Sequence, residues 1–197
     1  MSTLTSRVIA AGMFSIPILY HLLKPKLLSK SEKIDKKQKL ANFYRTPFPP
    51  AIREMLSKSR LAYMSTVDGD SSHLSLMRFT YLNDETDGEV VILSTQRATK
   101  KYDMLTKQNG VALLIHDFPQ FGEEKDGVHS ITLNGQCSIL EDGEKSEMYR
   151  AAHLKHNPDY PQFIVGEDIA MLCIFVSSAR ICNINDHVER WSAEPRK

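Results

Sequence analysis

The chain has 197 residues, 42% of them hydrophobic and 25% charged, with a formal net charge of +1, the proportions of an ordinary globular protein long enough to bury a core. Three well-separated cysteines, Cys137, Cys173 and Cys182, argue against a disulfide framework and against a cysteine metal site, and suit a reducing compartment. The charge is divided: residues 1–41 carry a balance of +6 and residues 42–197 one of −5, so the mildly acidic body argues against non-specific nucleic-acid binding.

The chain opens with an apolar stretch, Val8–Leu23, preceded by Arg7 and followed by Lys24, Lys26 and Lys30. Taken as residues 4–28 with its flanking cations reaching outward, it reads as a short membrane anchor. The larger positive cluster on its C-terminal side would then leave the body facing the cytoplasm. Its basic, acid-free character equally suits a targeting segment, for example to mitochondria, and the plain alternative is an apolar helix packed on the body. A lysine-rich tether, Ser29–Asn42, follows, so the expected division is a leader over 1–41 and a folded domain over 42–197.

The body reads mainly as strand. A helix is expected from about Pro50 to Ser59, with Ile52, Met55 and Leu56 on one face. Strand-like runs follow at Leu61–Val67, Leu74–Leu82, Glu89–Thr95, Val111–Asp117, Val128–Leu140 and Met171–Ile184, punctuated by "DGD" and "NDETDG" turns. A short helix is expected over Thr99–Asn109 and another from about Glu144 to His156. Consecutive strands with few helices exclude a doubly wound parallel sheet. Six antiparallel strands of this length suit a small barrel, although the pattern alone does not separate barrel from sandwich.

No glycine-rich phosphate loop, dinucleotide fingerprint, nucleophile elbow or zinc spacing is present. His153 and His156 are spaced as ligands could be, but no carboxylate or cysteine partners them, so they read as a solvated helix face and no metal is expected. His116 and Asp117 read as turn residues. Arg78 alternates with Leu74, Leu76 and Leu82. It is either a strand-end arginine reaching water or a fixed anion ligand. The segment "STQRATKK" places Thr99, Lys100 and Lys101 at the start of a helix, where cations oppose the dipole. A phosphate bound there would accept the free N–H groups, the Thr hydroxyl and both ammonium groups; the alternative is that both lysines simply point into water.

From about Phe43 to Trp191 the chain resembles the pyridoxamine 5′-phosphate oxidase family of FMN-binding split barrels. The motifs that carry this are "LAYMSTVDGDSSHLSLMRFTYL", "LSTQRATKKYDMLTKQNGVALLI", "HSITLNGQCSIL" and the closing "ERW". The resemblance implies a mainly β fold, a six-stranded antiparallel split barrel with flanking helices, to which the leader would add an N-terminal apolar helix. It implies a homodimer with FMN at the interface and a small-molecule substrate. It places Ser94 and Thr95 near the flavin, Thr99, Lys100, Lys101 and Arg78 on its phosphate, and Ser130 facing the ring. The family's second-strand lysine, its Arg-Pro-x-x-Ser segment and its C-terminal Arg-x-His element have no counterpart. FMN binding is therefore a firmer expectation than vitamin B6 chemistry, and no catalytic acid or base can be named. The expected function is an FMN-dependent oxidoreductase. The alternatives are a non-catalytic flavin- or haem-binding module and a membrane-tethered interaction protein.

Overall fold

The computed structural model describes residues 47–118 and 128–194. The expected apolar N-terminal helix, the tether and the boundary at residue 41 lie outside the described residues. The first described helix, α1 (Pro50–Lys58), starts with proline at its first position and buries Ile52, Met55 and Leu56, as its 3.6-residue spacing dictates. Strands β1 (Leu61–Asp68) and β2 (Ser71–Arg78) form a hairpin turned at Gly69, whose φ of +57° suits a residue without a Cβ. The chain continues through β3 (Thr80–Asp84), β4 (Gly88–Gln96), α2 (Lys100–Lys107), β5 (Gly110–His116), β6 (His129–Ile139), α3 (Glu144–His156), a 3-10 turn (Pro161–Phe163), β7 (Ile169–Asn183) and β8 (Val188–Ser192).

All pairings are antiparallel, in the order β2-β1-β5-β6-β7-β4-β3, with β8 added beside β7. The two ends of that order, β2 and β3, are successive pieces of one strand joined by Phe79 alone. β2 pairs with β1 and β3 pairs with β4, so the sheet curls on itself while its ladder stays open between β2 and β4. This is a split barrel, mainly β with flanking helices. The run expected at Leu74–Leu82 therefore starts earlier, breaks at the fully buried Phe79 and ends later. β8 has no counterpart among the expected strands: five residues with one apolar alternation give too little periodicity to detect.

The interior holds Met64, Phe79, Leu93, Leu113, Ile115, Ile131 and Leu133, capped by Ile52 and Leu56 of α1. A second cluster lies outside the sheet, where Tyr149 of α3 covers Val90, Ile92, Met171 and Cys173. Glycine is required at one point of the ladder. A Cβ on Gly135 would stand 2.3 Å from the Phe175 carbonyl oxygen, at the place where the β6–β7 register shifts. Helix α2 is held on the β1–β2 hairpin by Lys107 on Asp68 (2.9 Å) and by Met104 packed on Thr66.

Candidate functional site

The junction of β4 with α2 is built from its own sequence. Thr99 is extended (φ −99°, ψ 151°) and caps α2 by accepting the Tyr102 N–H at 3.3 Å. Its hydroxyl hydrogen goes to the Gln96 carbonyl at 2.8 Å, and Thr95 Oγ1 lies 3.2 Å from Thr99 Oγ1. The Thr99 hydroxyl is thus occupied in holding the start of the helix. The backbone N–H groups of Lys100 and Lys101 meet no acceptor among the described residues and are the free first-turn donors.

Lys101 shares its side of α2 with the buried Met104 and Leu105, at the i+3 and i+4 positions. Its side chain is half-buried, and burial lowers its pKa. No carboxylate meets it among the described residues. Lys100 is exposed, and its ammonium lies 3.4 Å from Ser71 Oγ on the neighbouring end of β2. Two ammonium groups and two N–H groups gather at this helix start, and the first-turn acid, Asp103, is turned to Lys107 at 2.9 Å rather than to either of them. The ammonium and N–H groups of Lys100 and Lys101 fit a phosphate ester such as that of FMN, with Thr95 and Thr99 holding the helix start beside them.

Sequence reasoning gave no site role to Ser71, His73 and Ser75. Alternation back from the buried Met77 puts all three on the barrel side of β2. Ser71 meets Lys100, and His73 Nε2 lies 3.0 Å from Ser75 Oγ. Strict period-two counting through "SSHLSLM" was the signal available for them.

The other three expected site residues stand apart from this junction. Ser94 is buried and donates to the Phe163 carbonyl at 2.7 Å, beneath the 3-10 turn. Arg78 is seven residues along β2 from Ser71, about 23 Å of extended chain, so it and Lys100 do not grip one phosphate within a single chain. Its guanidinium lies 3.4 Å over the Tyr160 ring and 3.4 Å from Asn157 Oδ1. Ser130 sits on the outward face of β6, opposite His116 and Cys182, six residues from the Gln136 that pairs beside the end of α2.

Helix α3 corrects one expectation. His153 is 1% exposed rather than on a solvated face. Its Nδ1 is 2.8 Å from Thr80 Oγ1, and Asn157 Nδ2 donates to that same Thr80 oxygen at 3.3 Å. Burial, with His156 and Arg78 nearby, lowers its pKa to about 4, so it is neutral in the fold. Among the described residues no group of three or more His, Cys, Asp or Glu side chains could hold a metal ion.

The family model described as pyridoxamine 5′-phosphate oxidase matches residues 48–176. A Schizosaccharomyces pombe protein named as a pyridoxamine 5′-phosphate oxidase homolog is 31% identical over 173 residues, covering 74% of this chain and 91% of the relative. Among solved structures, a heme binding protein from Mycobacterium smegmatis superposes with a TM-score of 0.60 at 16% identity, over 75% of this chain and 60% of that one. A FAD-binding protein from Mesorhizobium loti superposes with a TM-score of 0.55 at 11% identity, over 72% of this chain and 93% of that one. At those identities the two structures share the fold.

Proposed function

Because the chain belongs to the pyridoxamine 5′-phosphate oxidase family, we propose that it binds FMN at the β4–α2 junction and acts as an FMN-dependent oxidoreductase on a small molecule other than pyridoxamine phosphate. The observation that carries this reading is Lys101, a half-buried cation at a helix start with no anionic partner among the described residues. A phosphate dianion would neutralise Lys100 and Lys101 and accept the two free N–H groups. Thr95 and Thr99 hold the helix start in place beneath it, and Ser71 steadies Lys100. Bound flavin would supply hydride and electron transfer; the chain's contribution is binding, orientation and exclusion of water.

The second subunit of the proposed homodimer would dock on the outward face of β2, β1 and β5. Leu74 and Leu76 are 64% and 57% exposed there, beside Leu61, Tyr63 and Leu114. Such a contiguous apolar face suits an interface. Ser130 would then meet flavin only across that interface. The leader, over residues 4–28, would tether the domain to a membrane or to mitochondria, with the body on the cytoplasmic side if it is an anchor.

A second reading, a flavin-binding module without turnover, has one observation in its favour. The buried polar groups near the end of α3 are spent on one another, His153 and Asn157 on Thr80, where the family's Arg-Pro-x-x-Ser substrate grip is absent from the sequence. The deciding experiment is an absorbance spectrum of the purified full chain, with mass spectrometry of what it releases on denaturation, followed by flavin reduction with candidate donors. Released FMN and its reduction by a small donor support the oxidoreductase. FMN that no donor reduces favours the second reading, and a colourless protein that ignores added FMN defeats both.

A further inference from the structure

The outer surface of the sheet changes character along one row. Leu76, Tyr63, Leu114, Thr132, Arg180 and Arg190 are paired in register across β2, β1, β5, β6, β7 and β8. Directly opposed residues stand on the same face of a sheet, so these side chains form one line outside the barrel, while the neighbouring Ile131 and Ile181 alternate into the core. The line is apolar over the three strands where the second subunit would dock. It ends, beyond them, in two arginines.

Arg180 and Arg190 are both exposed and directly opposite each other. Their Cβ atoms are therefore about 4.5–5.5 Å apart, and like charges so placed destabilise a sheet. Among the described residues no carboxylate pairs with either guanidinium, although Arg53, Arg97 and Arg150 each have one. The adjacent acid, Glu189, pairs with Ile181 and so stands on the other face. Hydroxyl groups surround the two arginines instead. Thr132 is directly opposite Arg180, and Ser178 and Ser192 oppose each other one step along the same face. Ser130 is on this face too. It pairs with Cys182, two residues from Arg180, and such diagonal neighbours, about 7–8 Å apart, are within reach of a long side chain. Two guanidinium forks ringed by hydroxyl groups recognise an oxyanion.

We propose that Arg180 and Arg190 together bind the anionic group of the substrate, a carboxylate or a phosphate ester, beside the flavin ring that Ser130 would face. The substrate is then a small organic anion. This rests on the flavin reading for what lies beside the pair; the recognition of the anion belongs to the two arginines.

The test is a titration of the FMN-loaded full chain with benzoate, with phenyl phosphate and with the neutral benzamide, followed by calorimetry and by the flavin absorbance band. At least one anion should bind saturably, about tenfold or more tighter than benzamide, and should shift the band. The tighter of the two identifies the oxyanion that the pair takes. Arg180→Gln with Arg190→Gln should remove that advantage at unchanged FMN content, with the melting temperature held or raised because the opposed charges are gone. Should the double variant unfold, Arg190→Gln alone should remove most of the advantage. If the chain takes up no FMN, the flavin reading fails by itself, and benzoate binding to the flavin-free chain that is lost in the arginine variant still supports the anion site. Equal affinity for anion and amide, an advantage that the arginine variants keep, or a flavin band unmoved at saturation in the loaded protein would each overturn the proposal.

Discussion

Thr95 Oγ1 lies 3.2 Å from Thr99 Oγ1, and that contact joins the buried penultimate residue of β4 to the cap of α2. The pair sets the direction in which the helix leaves the sheet, and so where Lys100 and Lys101 point. Thr99→Ala removes both the cap and the contact. It should cost about 1 kcal/mol of stability, read from urea unfolding. FMN affinity should fall alongside it. A Thr99→Ser variant should restore both, because the hydroxyl rather than the methyl does the capping; unchanged FMN binding in the alanine variant would detach the cap from the site.

Lys101 is placed for ligand rather than for stability. Lys101→Met keeps the aliphatic length and removes a half-buried charge that opposes the helix dipole. The flavin-free protein should melt at the same temperature or higher, while FMN affinity drops about tenfold or more. A marked loss of melting temperature in the flavin-free variant would mean that the ammonium has a structural partner instead.

His153 predicts a pH dependence. Its pKa in the fold is about 4, against about 6.5 in an unfolded chain. The unfolded state therefore binds the extra proton first as pH falls. Stability is full above about 6.5 and is lost progressively down to about 4, by about 3 kcal/mol in all. Chemical denaturation at a series of pH values checks this, and His153→Gln should flatten the slope across that window.

Glu89 is buried and collects three donors: the Phe48 N–H, Arg53 at 2.7 Å and the Tyr81 hydroxyl. Glu89→Ala strands the Phe48 N–H and frees the segment before α1. We expect a loss of about 1–3 kcal/mol by denaturant unfolding. Arg53, partly exposed, can turn to water, so Arg53→Ala should cost less.

Gly135→Ala forces a Cβ against the Phe175 carbonyl oxygen at 2.3 Å, a backbone contact that no rotamer relieves. The variant should unfold at lower denaturant or accumulate as insoluble protein. A wild-type melting curve would show that the bulge can open.

Much of this fold is legible in the residues. The alternation in "HSITLNGQCSI" gives β6 and its buried face directly, and the Pro50 start and apolar spacing give α1. Phe79 is harder, because a break in a strand where partners change leaves no local mark; the residue stays apolar and buried on both sides of the switch. The site divides in the same way. Thr99, Lys100 and Lys101 are adjacent in sequence, so their helix-start chemistry could be read there. Arg78 and Ser130 were linked to them by family likeness alone, and the distance along β2 and β6 is a property of the sheet. His153 misled because a helix facing a sheet on its polar residues looks like a solvated one until Thr80 is found beneath it.

The most direct measurement is a fluorescence titration of FMN into the flavin-free full chain and into its Lys100→Glu, Lys101→Glu variant, with melting curves of both. The account predicts saturable binding to the wild type, weakened by about a hundredfold or more in the variant at an unchanged melting temperature. Equal FMN affinity in the two proteins would contradict it.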